Sequence, residues 1–556
     1  MQSNYRKIKS TKNEKFLILF FLMIAYVIRT LHADIFMMGT DAPGHILASL
    51  RLHHTNFFNF EIIEENFFAQ VLQFNHGYST ILIPWLVYEL FYNLLNININ
   101  EISLTYVNSI FGILSIFLIY IFFRNIIGKK KALIILLFLA VIPIHIGQSR
   151  LNIGPIIHNI SYYWMTILFL NNLMTKIDNK NLFLFSFFTL IYIGCDNAFI
   201  LGIFFQFLFI FIFSNYKLKT FFNKLIKIYL NIFSIFFIIL PILAYLIVTL
   251  ILWFQGIEEG YILNLISKKE NISLKFFENF FNLLFFYGPV SILIFYFFIK
   301  NIFFNRNNYK NKIFLFFLTY FFTYYFLISV ANLQNNYLMV LSVPLLYFLM
   351  FSFKEKYIKF LYFIVFLNLF YSLSVVYNYG FEINKNNKFG IYGFMDHKHQ
   401  NNDMGIKSLG YLIRNQNIKI SKIKPVNNKY FPHDYILGIF LPYEGGEYYL
   451  GNRYINITEK NKKNIIEINS SKFDKYIFIE YEKNNFYKKK ELNLILKRYN
   501  LNKAFDICKN NKPLINVYSN FEINLNNCVE TKTKNNLFDL EYGNIKMLPK
   551  IYLGQF

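Results

Sequence analysis

The sequence predicts an α-helical polytopic membrane protein of about eleven spans with a C-terminal soluble α/β domain, and three observations predict it. Apolar residues make up 55% of the 556 and aromatic ones 21%, more than a soluble fold can hide. They arrive in long blocks up to residue 377. Beyond that point charged, polar and turn residues dominate, and no run is long enough to cross a bilayer. The division is therefore 1–377 for the membrane domain and 378–556 for the soluble one.

The basic stretch NYRKIKSTKNEK precedes FLILFFLMIAYVIRTLHA, which has no convincing small-residue cleavage site and reads as a retained anchor with the amino terminus cytoplasmic. The polar, His-rich loop 34–80 then lies outside. Further apolar runs fall at 104–123, 132–148, 157–174, 182–194, 198–213, 228–252, 280–300, 313–330, 338–353 and 358–377. The segment 81–97, containing ILIPWLVYELFYNLL, is short and interrupted by Pro84 and Glu89. If it crossed, the basic loops RNIIGKKK, TKIDNK, NYKLKTFFNKLIK, KNIFFNRNNYKNK and FKEKYIK would land outside, so it reads as an in-plane helix on the outer interface. The two runs joined by CDN are shorter than the roughly 20 residues of a standard crossing, which a tilted or broken pair accommodates.

About eleven crossings leave the tail extracytoplasmic. Within it DMGIKSLGYLIRNQ and KKELNLILKRYN have helical spacing, while KYIFIEYE and PLINVYS read as strands, an order that suggests a small α/β domain. No glycine-rich phosphate loop occurs there. Of the cysteines Cys195, Cys508 and Cys528, only the last two are candidates to pair, and only if their region faces an oxidising compartment. The net charge of +24 reports sidedness rather than a nucleic-acid partner. High Asn and Lys content deprives single Asn or Lys residues, and the sequons at Asn271, Asn456 and Asn469, of weight.

His32, His45, His53, His54, His76, His145 and His158 lie in the first 158 residues, most of them on the outer side of this topology. Asp41, Arg51, Glu61, Glu64, Glu65, Arg150, Asn152 and Asp196 join them, so separated segments deliver titratable groups to one face. Taken alone, Asp41 in MMGTDAPGH is a turn or helix-cap acid, Arg150 an interfacial anchor and Asp196 a turn residue. The histidines lack metal-ligand spacing, so no metal is expected. Tyr78, Trp85, Tyr162, Trp164 and Tyr337 read mostly as belt aromatics, with sugar stacking the alternative.

Order along the chain adds a resemblance. An acid after the first span, a long outer loop, then NHGYSTILIPWLVYELFYNLLN and the stretch from EISLTYVNSIFG to IPIHIGQSR resemble the polyprenyl-phosphate-sugar glycosyltransferases of the GT-C fold. In pattern the chain is similar to the protein O-mannosyltransferase and lipid A aminoarabinose transferase superfamily over roughly residues 16–350. NNYLMVLSVPLLYF looks like that family's late Arg-Tyr-to-Pro segment. The chain departs from the pattern at Ala42, where a second acid is common, at His76, near the expected Lys, at the single Pro84, and after Arg150, where no Asp follows.

The resemblance implies sugar transfer from a polyprenyl-phosphate donor, without a cofactor, to the hydroxyl of a glycan, lipid or protein acceptor on the outer face of an inner or plasma membrane. It casts Asp41 as catalytic base and Arg150, His76 and His45 as donor-phosphate ligands, with Asn152, Asp196 and Tyr337 in the substrate pocket. The rivals are a lipid-linked oligosaccharide or polysaccharide transporter or flippase, which should show internal repeats absent here, and an O-antigen-type polymerase or ligase. In the latter the key Arg and His residues sit in a late outer loop, whereas QGIEEGYILNLISKKENISLKFFEN has neither.

Overall fold

The structure is a computed structural model. It describes residues 12–31, scattered positions from 79 to 95, most of 101–247 and 272–377 and, in the tail, 435–439, 454–457, 476–481 and most of 489–530. Below 378 the described chain is helical throughout. In hydrocarbon a helix is the one arrangement that pairs every backbone amide within its own segment.

The helices are α1 (Lys12–Thr30), α2 (Glu101–Ile127), α3 (Lys129–Val141), α4 (Pro143–Arg150), α5 (Ile156–Thr175), α6 (Asn179–Ile193) and α7 (Phe199–Phe213). They continue as α8 (Leu218–Tyr229), α9 (Ile232–Ala244), α10 (Ile272–Tyr287), α11 (Val290–Ile299), α12 (Lys312–Val330), α13 (Ser342–Ser352) and α14 (Ile358–Tyr377). The described residues of the 81–97 segment, Leu82, Ile83, Leu86, Val87, Leu90, Leu94 and Leu95, are helical.

By length and composition three described helices can cross a membrane, or five if each bent pair is one span. The pairs are α3 with α4, bent by 59°, and α8 with α9, bent by 67°. A further break separates α10 from α11, where Gly288 has φ +69° and a side chain there would press on Tyr371 and Asn368.

One expectation is corrected. The stretch NYKLKTFFNKLIK, read as a basic loop, contains α8, whose apolar residues repeat with helical spacing. Ile228 and Tyr229 are buried, Phe221 and Leu225 are partly covered by the bundle, and Leu218, Phe222 and Ile226 form an exposed stripe beside Lys219 and Lys227.

The core is aromatic. Trp164 on α5 packs on Phe122 of α2 at 5.1 Å and on Phe317 of α12 at 6.2 Å, and Tyr347 of α13 stacks on Phe317 at 4.5 Å. Trp164 and Tyr162 are thus interior residues rather than rim aromatics, because their faces of α5 turn toward neighbouring helices.

Basic residues gather at one end of the bundle. Glu14, ahead of the apolar run of α1, receives Arg124 Nε at 2.9 Å, Tyr120 Oη at 2.8 Å and Lys129 Nζ at 2.7 Å. Lys131 Nζ donates to Met350 O at the end of α13. Burial pushes the Glu14 carboxyl up, but hydrogen bonds from Lys129 and Tyr120 and the charges of Arg124 and Lys129 outweigh it and hold it below the ordinary value. The stability it contributes is present at neutral pH and lost as pH falls through that lowered value. Glu14→Gln is expected to lower the melting temperature at pH 7 and to flatten its decline on the acid side; unchanged melting curves would contradict this.

In the tail, strands β1 (Tyr435–Ile439), β2 (Tyr454–Ile457), β3 (Tyr476–Tyr481), β4 (Asn502–Lys509), β5 (Lys512–Ser519) and β6 (Cys528–Glu530) form one sheet in the order β2-β1-β3-β5-β4-β6. Helix α15 (Lys489–Arg498) connects β3 to β4. β1 pairs in parallel with β2 and β3, β5 is antiparallel to β3 and β4, and β6 is parallel to β4. Phe505 and Ile507 on β4 and Ile515 and Val517 on β5 alternate inward. Cys508 is disulfide-bonded to Cys528 across β4 and β6, with Cα atoms 5.7 Å apart. The segment 403–416, read as a helix, lies outside the described residues.

Candidate functional site

α1 and α2 run antiparallel. Glu14 at the start of α1 meets Arg124 near the end of α2, while Tyr26 lies 6.5 Å from Tyr106 near its start. The end of α1 therefore shares the far end of the bundle with the start of α2. Three contacts gather other chain breaks there. Arg150 Nη2 donates to Leu31 O at 2.6 Å, Ser79 N donates to Gly194 O at 2.7 Å, and His158 Nε2 lies 3.1 Å from Asn108 Oδ1.

The chemistry at this end follows from Pro143. A proline has no N–H, so the helix cannot close its bond back to Leu139 O, and the chain bends. Three carbonyls before the bend find substitutes. Leu139 O and Ala140 O each accept from Arg29 at 3.1 Å, and Val141 O accepts from Asn368 Nδ2 at 3.3 Å and from Ser372 Oγ. Burying these carbonyls without donors would cost about 1–3 kcal/mol each. Arg29 also sits at the carbonyl end of α3, where the helix dipole favours a cation.

All five N–H groups of Arg29 are engaged. Beyond the two carbonyls they reach Ser149 Oγ at 2.7 Å, Ala25 O at 2.9 Å and His145 Nδ1 at 2.9 Å. A guanidinium has no acceptor, so His145 Nδ1 accepts, its Nε2 carries the proton and donates to Ser115 Oγ at 3.0 Å, and Ser115 donates to Gly112 O at 2.8 Å. A polar chain thus ties α1, α3 and α4 to α2. Every residue of α4 is buried.

The helices touch closely here. A methyl group at Gly112 would collide with Ser149 Cβ, a group too near the backbone to swing away, and lie 2.8 Å from Ser149 Oγ. Gly112→Ala is expected to destabilise the protein by about 1–3 kcal/mol, with part recovered by Ser149→Gly, as read from thermal melts. Lack of any recovery would refute the close-approach account.

Of the expected site residues, Arg150 is fully buried at the end of α4, and Tyr337 is half-buried in the 3-10 turn Asn335–Leu341 that leads into α13. That turn packs against α4, α5, α10 and α12, so Tyr337 and Arg150 belong to neighbouring elements. Asp41, His45, His76, Asn152 and Asp196 lie outside the described residues, as do His32, His53, His54, Arg51, Glu61, Glu64, Glu65, Tyr78 and Trp85. Described flanks of three of the former, Ser79 after His76, Arg150 before Asn152 and Cys195 before Asp196, sit at this one end. Two of the seven N-terminal histidines, most of them expected on the outer side, are buried: His145 bonds Arg29 and Ser115, and His158 packs tilted against Phe111 at 4.2 Å. Among the described residues no three His, Cys, Asp or Glu side chains gather as metal ligands.

The residue the sequence reading passed over is Arg29. Its signal was present: a lone arginine inside an apolar run is costly and is kept where it has partners. Those partners come from a distant helix break, which no local pattern displays.

No family model and no curated protein matches the sequence. Solved structures do match in fold, among them two of ArnT from Cupriavidus metallidurans. The apo crystal structure has a TM-score of 0.56 at 11% identity, covering 92% of this chain and 99% of that one. The structure bound to undecaprenyl phosphate has a TM-score of 0.55 at 9% identity, covering 91% and 98%. ArnT is a lipid A aminoarabinose transferase of GT-C fold, and the chain described here shares that fold over most of its length.

Proposed function

We propose that this chain, folded as a GT-C protein, is a membrane glycosyltransferase that moves a hexosyl or pentosyl unit from a polyprenyl-phosphate donor to an acceptor hydroxyl at the outer membrane face, with inversion. The observation that carries the reading is the buried Arg150 guanidinium at the end of the bent α3–α4 pair, on a fold of which one solved example holds undecaprenyl phosphate. A guanidinium fork matches phosphate oxygens and stays charged in a low-dielectric site.

In this scheme the Asp41 carboxylate takes the proton of the acceptor hydroxyl, whose oxygen attacks the anomeric carbon. The bond from that carbon to the phosphate oxygen breaks on the opposite side, and polyprenyl phosphate leaves with the electron pair. Arg150, with His76 and His45, holds the developing phosphate charge; Asn152, Asp196 and Tyr337 line the pocket. The glycosyl phosphate bond already stores the energy, so the scheme needs no nucleotide, metal or other cofactor. The acceptor is a glycan, lipid or protein rather than a nucleic acid.

The orientation we propose places the amino terminus and the basic end around Glu14 and Lys129 in the cytoplasm of a cell with this protein in its inner or plasma membrane. Antiparallel α1 and α2 support it: the segment between them starts and finishes at one end of the bundle, which agrees with an 81–97 segment that does not cross. About eleven spans in 1–377 then leave 378–556 outside as a soluble α/β domain. The Cys508–Cys528 bond suits an oxidising compartment. Neither cysteine is expected to take a maleimide in intact cells before reduction, and both after it; labelling without reductant would overturn the sidedness.

The test of function is a strain lacking the protein, its surface glycans and glycolipids profiled by mass spectrometry. A sugar-bearing species should disappear and return on complementation. An unchanged profile would end the transferase reading.

A further inference from the structure

We propose that Arg29 is a positioning residue for the donor-phosphate site: it sets where α4 ends, and thereby where Arg150 is presented. This rests on the transferase reading for what Arg150 does, but not for how α4 is held.

The argument is geometric. α4 is eight residues long and joins α3 only through Ile142, which bonds back to Phe138 O and accepts from His145 and Ile146; Pro143 has no N–H to continue the ladder, so backbone bonding alone holds its direction weakly. Side chains must do the rest. Arg29 grips both sides of the break at once, through Leu139 O and Ala140 O on α3 and through His145 and Ser149 on α4.

Two successive residues of α4 are held by residues two apart at the end of α1: Ser149 by the Arg29 side chain and Arg150 by the Leu31 carbonyl. With its five donors engaged inside the protein, Arg29 serves through Arg150 rather than by contact with substrate. Lysine cannot replace it, since an ammonium has three donors and no planar fork to reach five acceptors on three helices.

The experiment uses the full-length protein in lipid nanodiscs, as wild type, Arg29→Lys, Arg29→Gln and Arg150→Gln. Hydrogen exchange followed by mass spectrometry reads α4 directly. Peptides spanning 143–150 should exchange about tenfold faster in both Arg29 variants, with α13 peptides unchanged. Affinity for undecaprenyl phosphate should fall about tenfold in each Arg29 variant, the size of one lost charge-assisted hydrogen bond. In an Arg150→Gln background, changing Arg29 should cost no further affinity, because its effect passes through Arg150.

Unchanged α4 exchange overturns the proposal, whatever the ligand does. Faster exchange with unaltered donor affinity, or losses that add in the double variant, overturns the link to Arg150. If the wild type binds no undecaprenyl phosphate, the functional reading falls and the exchange data still decide the positioning role. Should Arg29→Gln fail to insert, Ser149→Ala removes a single partner and should loosen α4 in the same direction.

Discussion

Asp41→Asn is expected to lower sugar transfer by about 10²- to 10⁴-fold, the usual worth of a general base, while leaving donor binding intact. The amide keeps the size of the side chain and its hydrogen-bonding reach but cannot take the acceptor's proton. Because Ala42 follows Asp41, no carboxylate next to it in the sequence can substitute. The measurement is transfer from a polyprenyl-phosphate sugar in membranes, with the amount of inserted protein and undecaprenyl phosphate binding checked separately. Wild-type transfer by the Asn variant would remove Asp41 as the base; loss of donor binding along with transfer would instead make it a structural acid.

The second large effect is expected at Arg150. Arg150→Gln should weaken undecaprenyl phosphate binding by about 10- to 100-fold, equivalent to about 1.5–3 kcal/mol for hydrogen bonds to a charged partner. Arg150→Lys should recover little, because the side chain must both reach Leu31 O, which Arg150 does at 2.6 Å, and present a planar pair of donors to phosphate. The loss should also depend on Arg29, which distinguishes a preorganised site from an isolated charge. Equal binding by wild type and both variants would show that the phosphate is held elsewhere.

The helices were largely legible because the bilayer imposes length and composition on each of them independently. The runs 104–123, 157–174, 313–330 and 358–377 correspond to α2, α5, α12 and α14 within a few residues. α8 was misread because charge was weighed before periodicity: its lysines suggested a loop, while Phe221, Leu225, Ile228 and Tyr229 already marked a buried face. In the tail, KYIFIEYE and PLINVYS coincide with β3 and β5, since strand alternation is local. Their neighbours in the sheet are a matter of pairing across distant sequence.

By itself the sequence determined where the chain is apolar enough to be helical and which stretches are basic; lipid and charge act on each segment in isolation. Only the tertiary structure decided that the chain bends at Pro143 between α3 and α4, that Arg29 bridges the bend with four hydrogen bonds, and that Gly112 lets Ser149 approach. Those facts depend on which carbonyls lack a donor and which helix lies within reach, and a hydrogen bond between residues more than a hundred positions apart leaves no periodicity in the chain.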